Sequence, residues 1–133
     1  MDFKTLAHNI IMEKRKKRIA IYCRVSTVEQ AEEGYSIAEQ ERLLTEWCSK
    51  MNYIVTKCYS DRGISGKAIN NRPALKELLK DAEEKKFDMV LVWKINRISR
   101  KLTHVLEIAE TLEMNNIAFK SYSEEFDNST PRS

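Results

Sequence analysis

The stretch FDMVLVW, residues 87–93, contains the longest purely apolar run of the chain, Met89 to Trp93. A strand without alternation needs cover on both faces, the position of a central strand in a parallel sheet flanked by helices. The neighbouring segments fit that setting. Residues 19–25 read as a buried strand, 53–59 as a second strand and 117–122 as a fourth. Between them, apolar residues recur at helical spacing. Ile37, Leu43, Leu44, Trp47, Cys48 and Met51 mark a helix over about 37–51, opened by Ser36 with Glu39 three residues on, a capping box. Pro73 opens a second helix, with Leu75, Leu78, Leu79 and Ala82 inward. A third spans about 100–115, with Val105, Ile108, Ala109 and Leu112 inward. Strands alternating with helices predict an α/β three-layer sandwich with a mostly parallel central sheet.

Composition bounds the class. The 133 residues suffice for one domain with a proper core, and 42% hydrophobic with 32% charged residues describes a folded protein. No run is long enough to span a membrane and the N-terminus has no signal-peptide stretch, so a cytoplasmic protein is expected. Cys23, Cys48 and Cys58 have no CxxC spacing and are expected as buried free thiols. With His8 and His104 far apart, neither a metal site nor a cofactor is expected. Charge is uneven. Residues 1–18 hold six Lys/Arg and two Asp/Glu, a balance of +4, and the other 115 residues hold 17 against 18, a balance of −1. The leader reads as a solvated tail, a loose extra helix or an arm contacting phosphate. The body is no DNA-coating surface, and any anion site in it must be local.

Polar residues gather where such a site belongs. In IYCRVST (21–27), Tyr22, Arg24 and Ser26 share one side of a strand, with Ile21, Cys23 and Val25 on the other. Ligands of parallel sheets bind at the carboxyl ends of strands. The first strand brings Arg24 and Ser26 there. The second ends at SDRGISG with Asp61, and the third at KINRISR with Arg97 and Arg100, three apart at an expected helix start. Arg72 in NRPAL precedes the second helix. The motifs thus offer a serine with up to four arginines and no histidine. Acyl transfer by serine usually wants a neutral base. Guanidinium is always charged and grips phosphate in two places, so the set favours covalent phosphoryl transfer. GISGK (63–67) lacks the glycine spacing of a phosphate loop. Arg62 and Lys67 read as ordinary loop charges, and Arg42 and Lys76 as solvated.

Taken in order, YCRVSTVEQ, SIAEQ, DRGISG, NRPALKELL, DMVLVWKINRISR and DNSTP resemble the catalytic domain of the serine recombinases, and the large serine integrases and transposases more than the small resolvases. The resemblance covers residues 18 to 131. It implies a resolvase-like catalytic domain over 19–133 behind a basic leader (1–18), cut before a long linking helix and a C-terminal DNA-binding region. It implies Ser26 as nucleophile on a DNA phosphodiester, giving a 5′-phosphoserine and a free 3′-hydroxyl without metal or nucleotide. Arg24, Arg72, Arg97 and Arg100 would hold the phosphate, with Asp61 as their acidic partner and Tyr22 and Gln30 in support. The implied partners are double-stranded DNA attachment sites and further copies of the protein, as dimer and synaptic tetramer. Asn96 stands where the family usually has Asp; it can hydrogen-bond but cannot neutralise an arginine. Two other classes remain: a catalytically silent DNA-associated regulator, and a receiver-like module, which would want acidic strand ends.

Overall fold

The computed structural model describes residues 2–4, 16–25, 36–62, 72–99 and 101–123. Its elements follow in the order β1 (Arg18–Val25), α1 (Ile37–Lys50), β2 (Ile54–Arg62), α2 (Pro73–Glu83), β3 (Met89–Val92), a 3-10 turn (Ile95–Arg97), α3 (Leu102–Met114) and β4 (Ala118–Ser121). The sheet order is β2-β1-β3-β4, and every pairing is parallel. β3 is buried along its whole length, as its unbroken apolar sequence requires.

The sheet separates two apolar layers. On one side Ile19, Ile21, Cys23, Met89 and Leu91 pack with Ile37, Leu44 and Cys48 of α1. On the other, Ala20, Tyr22, Val90 and Val92 pack with Leu75 and Leu78 of α2 and with Val105, Ile108 and Leu112 of α3. This is the expected three-layer sandwich. The face carrying Tyr22 and Arg24 is therefore the second half of the core, not a surface patch.

Ser36 caps α1 through Glu39 N–H at 3.2 Å. Its hydroxyl meets the Glu39 carboxylate at 3.5 Å. Each helix ends in the same way. A residue with positive φ (Asn52, Lys85 and Asn116) follows the C-cap. The next amide reaches back five residues, Tyr53 to Cys48, Lys86 to Asp81 and Ile117 to Leu112. These are Schellman closures built without glycine.

Three expectations are corrected. β2 continues to Arg62 instead of ending at Tyr59, because its backbone keeps pairing with β1 through Arg24↔Asp61 and Val25↔Arg62. α3 begins at Leu102, so Arg97 lies in the separate 3-10 turn before it. Cys58 is exposed, since β2 is an edge strand, whereas Cys23 and Cys48 are buried; all three are free thiols. Burial raises the Cys48 thiol to about 11. Among the described residues, no helix is long and apolar enough to cross a membrane.

Candidate active site

Parallel pairing in register brings the carboxyl ends of β1 and β2 side by side, which sets Arg24 next to Asp61. Tyr22, two residues earlier on the same face of β1, donates its phenolic hydrogen to Asp61 Oδ2 at 2.7 Å. The same phenol oxygen accepts from Arg72 Nε at 3.1 Å and Nη2 at 2.7 Å. Burial holds the Tyr22 phenol well above its ordinary range, and the positive charge of Arg72 works against that rise.

Asp61 closes the start of α2. Its Oδ1 accepts from Ala74 N–H at 3.0 Å and its Oδ2 from Leu75 N–H at 3.2 Å. Arg72, at the N-cap, has no capping side-chain bond of its own, and Pro73 has no amide hydrogen to satisfy. The carboxylate from β2 thus serves as the missing cap, and it suits the positive end of the helix. Its link to the arginines runs through the Tyr22 hydroxyl.

The turn after β3 supplies backbone oxygens. Arg97 O accepts from Arg24 Nε at 2.9 Å and from Arg72 Nη2 at 2.7 Å. Arg24 Nη2 also donates to Asn96 O, and Arg72 Nη1 to Ile98 O. Two guanidiniums from different elements therefore meet at one carbonyl. Arg97 donates through Nη1 to its neighbour Asn96 Oδ1 at 3.2 Å. Arg24, Arg72 and Arg97 are almost wholly buried. Burial of a charge is costly unless it is hydrogen-bonded, and here the carbonyls of residues 96–98 answer part of that demand. The arrangement concentrates positive charge with fixed orientation at the carboxyl edge of the sheet, as binding of an anionic group requires.

Of the residues singled out from the sequence, Tyr22, Arg24, Asp61, Arg72, Asn96 and Arg97 come together here. Ser26, Gln30 and Arg100 lie outside the described residues. In sequence Ser26 comes directly after Val25, the last residue of β1, the strand that carries Tyr22 and Arg24. Sequence reasoning missed the acceptor role of the 96–98 carbonyls, for which side-chain patterning carries no signal. It also missed Ser99, which is buried; its hydroxyl accepts from Lys101 N–H at 3.1 Å and lies 3.4 Å from His104 Nδ1. The run NRISRK offers one hint, a serine just before a helix.

Comparison with known proteins bears on this geometry. The chain is 40% identical to the N-terminal catalytic domain of TP901-1 integrase, with a TM-score of 0.77 over 86% of this chain and 83% of that one. It is 37% identical over 111 residues to a putative DNA recombinase of Bacillus subtilis (strain 168), covering 84% of this chain. It is 42% identical over 76 residues to the uncharacterized immunity region protein 3 of Bacillus phage phi105, covering 57% of this chain and 92% of that protein. The chain spans only 21% of the length of the Bacillus subtilis recombinase. The sequence profile of the family described as Resolvase, N terminal domain, matches residues 19–133. The parallel α/β sheet is thus the fold of that family, and the chain belongs to it.

Proposed function

We propose that this chain is the catalytic domain of a site-specific serine recombinase that cuts and rejoins DNA through Ser26. The observation that carries the reading is the convergence of buried Arg24, Arg72 and Arg97 at the end of the strand that leads into Ser26. In the proposed step the Ser26 oxygen bonds to phosphorus and its proton departs. The bond from phosphorus to the 3′-oxygen breaks, and that oxygen leaves as a 3′-hydroxyl after taking up a proton. The product is a 5′-phosphoserine linkage, which conserves the bond energy for rejoining by the reverse reaction. Charge develops on the phosphoryl oxygens, and fixed guanidiniums stabilise it. In comparable sites each lost donor costs roughly 3–4 kcal/mol of barrier. Arg100 completes the phosphate cluster, Gln30 supports it, and neither metal nor nucleotide takes part. The partners are double-stranded DNA attachment sites in the cytoplasm and further copies of the protein, as dimer and then synaptic tetramer.

The test is to trap a covalent protein–DNA adduct on a nicked suicide duplex. Ser26→Ala is expected to abolish the adduct while leaving the circular-dichroism spectrum unchanged. Adduct formation by that variant would show that the nucleophile lies elsewhere.

A second reading is a DNA-associated regulator that keeps the fold without the chemistry, favoured by the neutral Asn96 amide oxygen that faces Arg97 at 3.2 Å. Asn96 in place of a carboxylate is compatible with it. A Ser26-dependent adduct excludes it.

A further inference from the structure

Residues 95–114 contain neither glycine nor proline, yet they do not form one helix. The chain begins to coil soon after β3. Ile95 O accepts from Ile98 N–H at 2.9 Å and from Ser99 N–H at 3.4 Å, the second a bond of α-helical span. Lys101 is then extended, at φ −93° and ψ 121°. From there α3 starts afresh, with His104 and Val105 N–H both on Lys101 O. Something other than a helix-breaking residue type makes the interruption.

An unbroken helix would send Lys101 N–H to Arg97 O, four residues back. That carbonyl instead accepts from Arg24 Nε and Arg72 Nη2, and the Lys101 amide donates to Ser99 Oγ at 3.1 Å. The Ser99 hydroxyl thus takes up a hydrogen that would otherwise compete with both guanidiniums. Ser99 is buried, which leaves water little access to do the same. His104 sets the direction of that hydroxyl. It lies in the first turn of α3, where side chains lean back toward the N-terminus, and its Nδ1 is 3.4 Å from Ser99 Oγ. A neutral imidazole with a bare Nδ1 accepts the serine hydrogen and leaves the oxygen's lone pairs for the Lys101 amide.

We propose that Ser99, oriented by His104, is a positioning residue that holds the break between the 3-10 turn and α3 and so keeps the Arg97 carbonyl for Arg24 and Arg72. Neither residue needs to touch DNA. The consequence for cleavage rests on the recombinase reading above, whereas the consequence for the arginines does not.

Ser99→Ala, His104→Leu and His104→Asn in the 133-residue chain test the two consequences separately. Asparagine keeps an acceptor near the place of Nδ1, and leucine fills the space without one. The first readout is hydrogen exchange at Arg24 Nε–H, followed by NMR against the backbone amides of β3, which report global opening. Ser99→Ala and His104→Leu are expected to speed exchange at Arg24 by about tenfold relative to those amides, on the scale of a lost cap. His104→Asn should exchange as the parent does. Arg24 exchange that stays parental in Ser99→Ala, or that rises only in step with β3, would overturn the proposal by leaving Ser99 a purely structural part. Equal damage from asparagine and leucine would remove the ring nitrogen from it. The second readout is adduct formation at saturating suicide duplex. Ser99→Ala and His104→Leu should slow it by about tenfold or more at unchanged duplex affinity, with His104→Asn close to the parent. Faster Arg24 exchange with a parental adduct rate would overturn the link to cleavage. No adduct from any chain, the parent included, would sink the recombinase reading, and Arg24 exchange would still decide the positioning.

Discussion

Tyr22 carries more of the candidate site than its place in an apolar strand suggests. Its hydroxyl accepts two hydrogen bonds from Arg72 and donates one to Asp61, so it joins the guanidinium cluster to the cap of α2. Tyr22→Phe keeps the ring in the core and removes that junction. Buried donors left without a partner cost about 1–3 kcal/mol, more where charge is involved. The variant is expected to fold, to lose stability by an amount in that range and so melt at a lower temperature, and to lose most of its adduct formation because Arg72 keeps only its bonds to the carbonyls of Arg97 and Ile98. A melt and an adduct yield equal to those of the parent would show the phenol to be mere packing. Asn96 raises a different question. Its side-chain oxygen already accepts from Arg97 at 3.2 Å, so Asn96→Asp would add charge to an existing contact rather than create one. Charge-assisted hydrogen bonds are stronger than neutral ones, so the acid should hold Arg97 at least as firmly. Adduct formation at or above the parental rate is expected. A large loss would mean that the site is tuned around a neutral group.

At the scale of elements, most of what periodicity can report was legible, and what it cannot report was not. β3, α1 and α2 were readable because apolar spacing and cap residues determine them. The end of β2 was not, since Ser60, Asp61 and Arg62 look like a loop although backbone pairing to β1 continues through them. The 3-10 turn was hidden for a related reason: its role is to present carbonyls, and no side chain announces that. The site residues at the strand ends were visible as residues, but their burial followed only from both faces of β1 being covered. The helix ends make a prediction of their own. Lys85 sits at φ 55° in the closure after α2, where its Cβ is unfavourable. The closure is made by backbone groups, and the Lys85 carbonyl, which accepts from Arg18 Nη2 at 3.1 Å, survives substitution. Lys85→Gly is expected to stabilise the fold by about 0.5–1 kcal/mol, the relief of the left-handed strain less the added entropy of the unfolded chain. Chemical denaturation reads this as a higher midpoint at unchanged slope. A lower midpoint would show that the lysine side chain contributes more than its backbone strain removes.

For the whole molecule, charge decides how it meets DNA. Phosphate neutralisation supplies most non-specific affinity, and contacts to base edges supply specificity. Outside the leader the balance is −1, and the three described arginines of the site are buried, so they add little to a long-range positive field. These 133 residues contain no helix-turn-helix pattern or zinc-ligand set with which to read bases. Residues 1–133 alone are therefore expected to bind duplex DNA weakly, with little preference for sequence and with steep loss as salt rises, and to form no stable synaptic tetramer. The measurement is a titration of a cognate and a scrambled duplex at two salt concentrations, with particle mass followed in parallel. Comparable weak affinities that collapse together at the higher salt would agree with this account. Tight binding that prefers the cognate duplex and persists at the higher salt would place recognition within the arginine-bearing edge of this fold, and the charge argument would then have the wrong surface in view.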